Sequence, residues 1–172
     1  MRLVPIGGSD RSWNALKSHW KSDAESAGED FSTWLNGVFA ALDTVANQEP
    51  AKSGLYCFYE ESNPRAFCEI KRLLISRFPT PVVRARFVTV SPLYDAGLID
   101  LNGYAQLLVS LFSAVVWLSR TTLGSQIIRF NLRSPADAQY FTALQIVAPL
   151  SPFAKFTIKG AWIECVLKNV AS

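Results

Sequence analysis

A strand-like run ending in proline, a polar loop and a long apolar helix follow one another across residues 84–120, RARFVTVSPLYDAGLIDLNGYAQLLVSLFSAVVWLSR. That order restricts the fold more than any other stretch. Val82, Arg84, Arg86, Val88 and Val90 recur with period two, which predicts a strand with those five side chains on one face. Residues 104–119 are apolar nearly all round and predict a helix covered on most sides. A second alternating run, 126–132, follows, so the passage reads as a right-handed crossover between parallel strands. The helix start, near Asn102, would aim free N–H groups and a partial positive charge across the strand end, which suits an anion.

The flanks read as antiparallel pairs and helices built around this crossover. Residues 2–6 form an expected edge strand closed by Gly7-Gly8, and Ser9 or Asp10 caps a helix with Trp13, Leu16 and Trp20 on one stripe. The stretch 23–28 reads as a polar linker. Ser26 and Glu29 have capping-box spacing, predicting a second helix through Phe31, Trp34, Val38, Phe39 and Leu42 to about Asn47. Glu49-Pro50 and Ser53-Gly54 then break the chain before a hairpin of strands 55–60 and 66–75, joined by Glu61-Ser62-Asn63-Pro64. Near the end, Ser134-Pro135 starts a shorter helix, 136–147, which Pro149 and Pro152 stop. The run 153–168 folds as a hairpin about Lys159-Gly160 with Trp162 and Val166 inward. The expectation is one α/β domain spanning residues 1–172, with a mixed sheet of about six or seven strands and helices on both faces.

Composition narrows the function classes. With 172 residues, 49% of them hydrophobic, the chain can bury one ordinary core. A net charge of +3 is too mild to predict nucleic-acid binding. Yet every charged residue between Glu69 and Asp95 is positive: Lys71, Arg72, Arg77, Arg84 and Arg86. Two arginines on a central strand require paired carboxylates, an acidic ligand or water. Three cysteines without a CxxC pair and a single histidine, His19, indicate neither a zinc cage nor a disulfide framework, so no metal is expected. The N-terminus lacks the apolar core of a signal peptide and the stretch 107–118 is about half a membrane span. A soluble, cytoplasmic protein with reduced cysteines and no membrane partner is expected.

The element order, with VTVSPLYD before the loop, NGYAQLL at the helix start and IKGAWIECVL at the end, resembles the GNAT superfamily of acyl-CoA-dependent N-acyltransferases. The resemblance covers nearly the whole chain and implies acetyl-CoA or another acyl-CoA as cofactor and an amine as acceptor. Val88, Val90 and Pro92 match the family's strand end, and Gly103-Tyr104-Ala105, preceded by Asn102, stands for the Gly-x-Gly/Ala turn whose backbone N–H groups hold the diphosphate of coenzyme A. The basic or glutamine position of that turn is Asp100 here, with Asp95 nearby. In the helix after the fifth strand, Ser134 takes the family's asparagine place and Phe141 the tyrosine place, with Tyr140 one residue away.

An enzyme of this kind lets an amine attack the thioester, and needs a base for the ammonium and an acid for the thiolate. Glu69 is the candidate base and Tyr140 the candidate acid. The competing expectation is a GNAT-like module without catalysis that docks on a partner protein, through Trp13 and Trp20 or through Tyr94 and Leu98. Nucleic acid is an unlikely partner, because stacking aromatics are absent beside the basic set. If Gly103 belongs to a cofactor turn, Gly103→Leu is expected to abolish acyl-CoA binding and leave the fold intact.

Overall fold

The computed structural model describes residues 2–47, 53–147 and 152–168. The breaks read at Glu49-Pro50 and Pro149 lie outside them. Strand β1 (Arg2–Ile6) leads into α1 (Ser12–Ser26), then a bent helical run made of α2 (Ser32–Trp34), a π-helical segment (Leu35–Phe39) and α3 (Ala40–Ala46). Next come β2 (Ser53–Glu60), β3 (Asn63–Leu73), β4 (Val82–Val90), the short α4 (Pro92–Asp95) and the long α5 (Leu101–Thr121). The chain closes with β5 (Ile127–Asn131), a 3-10 turn (Pro135–Phe141), α6 (Thr142–Val147), β6 (Phe153–Lys159) and β7 (Trp162–Leu167). One seven-stranded sheet has the order β1-β2-β3-β4-β5-β7-β6. Among the described strands only β4 and β5 run parallel, so α5 is the crossover expected from the sequence.

Apolar residues split between the two sheet faces. On one face Leu107, Leu108, Leu111, Phe112 and Val115 of α5 meet Phe58, Cys68, Val83, Ile128 and Phe130. On the other, Trp13, Leu16 and Trp20 of α1 and Phe39 and Leu42 of the bent run meet Leu55, Cys57 and Phe67. Trp13 and Trp20 are 2% and 0% exposed, so these two tryptophans are core and not a docking patch. The indole N–H of Trp13 donates to Asp43 Oδ1 at 2.7 Å, and that of Trp20 donates to the Pro64 carbonyl at 2.8 Å. Both rings are thereby pinned as well as buried.

Several local readings are corrected. Ser26 does not cap the second helix: it lies in the last turn of α1, where its hydroxyl donates to the Asp23 carbonyl, and residues 23–26 are helix and not linker. Asp30 fills that role instead, accepting from the Ser32 amide at 2.9 Å. The hairpin turn is only Glu61-Ser62, with Glu61 at φ 55°, and Asn63 and Pro64 already belong to β3. In β7 the buried side chains are Ile163, Cys165 and Leu167, so Trp162 and Val166 face the other way. Helix α5, long and apolar enough by length and composition to cross a membrane, buries seven residues on the sheet and leaves Trp117 63% exposed.

The expected period-two face of β4 is broken in its middle. Val83 and Ala85, at odd positions, and Val88 and Val90, at even positions, all enter the core beneath α5. A change of parity on one face requires an extra residue. Phe87 supplies it: φ is 54°, and Phe87 and Val88 together lie opposite Cys68, between the pairs Glu69–Arg86 and Phe67–Thr89. Arg84 and Arg86 therefore do not share a face with Val88 and Val90. A non-glycine residue in the left-handed region costs about 1–2 kcal/mol, and the Phe87 ring is 45% exposed. Phe87→Gly is expected to raise the urea unfolding midpoint slightly or leave it unchanged, whereas Ala85→Gly, in the regular part of the strand, should lower it.

Candidate functional site

The bulge separates β4 from β5. Their parallel ladder covers Val82–Ala85 against Ile127–Phe130 and goes no further, so the β5-facing edge of β4 from Phe87 onward is not laddered. A cleft of about 450 Å³ opens there, lined by Phe87, Val88 and Thr89 of β4, by Asn131 at the end of β5 with Leu132 and Arg133 after it, and by Trp34 and Val38 of the bent helical run. Thr89 Oγ1 donates to the Phe87 carbonyl at 3.0 Å and stabilises the bulge from within. Asn131 Nδ2 donates to the Ala161 carbonyl at 3.1 Å and ties the cleft wall to the β6–β7 turn.

At the end of the cleft stands a connected polar group. Arg133 Nη2 lies 2.7 Å from Asp95 Oδ1. The Tyr104 hydroxyl donates to Asp137 Oδ1 at 3.1 Å, while Asp137 Oδ2 accepts from the Ser134 amide at 3.0 Å and closes a capping box on the 3-10 turn. Burial pushes the Tyr104 phenol up to about 12, with Arg133 opposing and Asp137 assisting. That phenol keeps its proton at neutral pH. The Tyr140 ring packs edge-on against Tyr104, with centroids 5.8 Å apart.

The residues expected from the sequence do not converge on one point. Val88 lines the cleft, whereas Val90 is fully buried beneath α5. Asn102 is exposed, Ala105 is half-buried, and Gly103 lines a separate hollow with Glu60, Arg65 and Tyr94. Glu69 and Tyr140 lie on opposite sides of the sheet: Tyr140 packs on the α5 side, while Glu69 shares the other face with Phe67. Sequence reasoning missed Asp137, Arg133 and Asn131. The Ser134-x-x-Asp137 spacing was a visible signal for the first; the other two become site residues only through the splaying of the strands.

Glu69 is fully buried and held by two cations: Arg86 Nε binds Oε2, and Lys71 Nζ lies 2.9 Å from Oε1. Burial pushes the carboxyl up, but the hydrogen bonds and charges of Arg86 and Lys71 outweigh it and hold the group below its ordinary 4.5. A carboxylate so stabilised is a weak base. At the start of α5, Asp100 is the N-cap, and its Oδ1 accepts from the Gly103 amide at 2.8 Å. The carboxylate thus occupies one of the amide donors that the resemblance assigns to a diphosphate. A Cβ on Gly103 would come within 2.5 Å of Ile99 Cγ2, so Gly103→Leu would disturb the helix start itself and does not test ligand binding cleanly.

No family model and no curated protein matches this chain. Among solved structures, a probable acetyltransferase from Staphylococcus epidermidis superposes on it with a TM-score of 0.52 and 11% identity, over 96% of each chain. At that identity the likeness is one of fold. The chain has a GNAT-like mixed α/β fold, as the element order had suggested.

Two outcomes check the electrostatics. Asp100→Ala should destabilise the protein by about 1 kcal/mol through loss of the cap, read by urea denaturation. Glu69→Gln should cost about 3 kcal/mol at pH 7, because it breaks a buried ion pair. The depressed Glu69 value means that its stabilisation is complete above 4.5 and is lost as pH falls through the folded value, so the two proteins' stabilities should converge in acid.

Proposed function

We propose that this chain is a GNAT-like N-acyltransferase whose β4–β5 cleft takes the acyl-pantetheine end of acetyl-CoA or another acyl-CoA and presents it to an amine. The open edge of β4 beyond Ala85 carries the reading. A linear, amide-bearing arm adds to an unpaired strand edge as a further strand would, through backbone hydrogen bonds. Burial of Val88 and Leu132 at the cleft supplies apolar contact along the arm. The diphosphate fits less well: at the α5 start it would meet Asp100, whose carboxylate already holds the Gly103 amide. When bound, acyl-CoA supplies an activated thioester carbonyl. Tyr140 remains the candidate acid, with the protonated Tyr104 phenol beside it as a second hydroxyl.

One observation favours the other reading, a partner-binding module without catalysis. Glu69 is neutralised by Arg86 and Lys71, and Asp95, the carboxylate that lines the cleft, is paired with Arg133. Glu69, held below its ordinary range by those two cations, is not poised to accept a proton. The exposed Leu98 side chain, beside the cleft loop, fits such a docking role better than the buried tryptophans.

Calorimetric titration with acetyl-CoA at two salt concentrations tests the proposal. Saturable one-to-one binding is expected, weakened at least tenfold by Val38→Trp, which fills the cleft from its helical wall. No binding by the wild-type protein at millimolar ligand would overturn the acyl-CoA reading. Binding without acetylation of any amine in a broad acceptor panel would assign the chain to the non-catalytic class.

A further inference from the structure

The α1–α3 layer covers only part of its sheet face, and the remainder carries charge. Across it, in register, run Lys71 of β3, Arg84 of β4, Arg129 of β5, Glu164 of β7 and Thr157 of β6. Neighbouring strands lie about 4.8 Å apart, so three cations stand abreast within about 10 Å. Like charges directly opposite one another destabilise a sheet. Their partners do not cancel them. Lys71 and Arg86 share the single carboxylate Glu69, and Arg129 Nε lies 3.5 Å from Glu164 Oε2. Arg84, the middle one, has no ion pair among the described residues, and its Nε is buried without a hydrogen-bond partner.

We infer that this row is a binding site for a phosphoryl-type dianion, centred on Arg84. Charge balance favours that class over a single carboxylate: Lys71, Arg84, Arg86 and Arg129 against Glu69 and Glu164 leave +2, Lys155 and Lys159 beside the hollow add to that surplus, and a phosphate dianion offsets more of it than one carboxylate would. Geometry is in keeping. Arginine forks match phosphate oxygens in pairs, and two of these guanidinium groups are already oriented, Arg129 over Trp162 at 5.0 Å and Arg86 over Phe87 at 4.6 Å. A hollow of about 150 Å³ beside Arg129 is lined by Lys155, Thr157, Lys159 and Trp162, and leaves room for the group that bears the phosphate. The hollow shares no lining residue with the β4–β5 cleft, and inorganic phosphate probes it without acyl-CoA.

Thermal melts and NMR titrations with inorganic phosphate, against sodium chloride at matched ionic strength, test it. The wild-type melting temperature should rise with phosphate beyond the chloride control. Arg84→Gln should weaken phosphate binding at least tenfold, yet melt no lower than wild type in chloride, since it relieves like-charge repulsion. Arg11→Gln, in the exposed loop before α1, should change neither. Equal response to phosphate and chloride, phosphate binding retained in Arg84→Gln, or a marked loss of stability of that variant in chloride would each overturn the assignment. A phosphoserine tetrapeptide binding more tightly than inorganic phosphate would identify a phosphorylated polypeptide as the source; equal affinity would identify a free phosphate metabolite.

Discussion

One residue too many in β4 governs the architecture. A strand with strict period two could not send Val83, Ala85, Val88 and Val90 into the same core. The left-handed backbone at Phe87 absorbs the extra residue and turns the second half of the strand over. Val83 and Ala85 of the first half and Val88 and Val90 of the second are then buried under α5, and the change of direction carries β4 away from β5 after four paired residues. Core packing and the opening of the cleft are thus the same event. The strain at Phe87 is balanced by the burial of Val88 and Val90, and the cleft is its by-product.

How much of this the sequence discloses depends on the range of the interaction. The crossover, the antiparallel flanks and the tryptophan stripe of α1 were legible, because each rests on periodicity within one element. The bulge was not: RARFVTV offers no glycine, and alternation through Arg84, Arg86 and Val88 looks unbroken until the three-dimensional parity is known. Ser26 misled for a related reason, since Asp30, two residues before Ser32, was the better placed cap. The candidate site was less legible than the fold. Glu69 and Tyr140 are plausible residues for acid–base work when read singly, but the sheet stands between them.

Electrostatics separate this chain from a generic anion-binding crossover. The start of α5 offers a dipole and free amides, yet its first demand is met internally by Asp100. Similar internal settlement occurs at Asp95 with Arg133 and at Asp137 with Tyr104 and the Ser134 amide. The carboxylates around the cleft are therefore spoken for, and the positive charge left over is found on the sheet face below, at Arg84. The polar surface that meets the cleft and the one that remains unbalanced are two different places.

The division of the apolar residues between two sheet faces has a dynamic consequence. Helix α1 and the bent run make their own aromatic cluster, in which Trp13, Trp20, Phe39 and Phe67 lie within 6 Å of a neighbouring ring, and they meet the sheet through β1, β2 and β3. Helix α5, β5 and the β6–β7 hairpin belong to the other core. Opening one cluster leaves the other's contacts in place. Amides of α1 and α3 should then exchange with solvent as one cooperative group, through an opening that leaves the sheet folded, while those of α5 and β5 wait for global unfolding. Because Trp34 and Val38 form a wall of the cleft, the same opening would widen it.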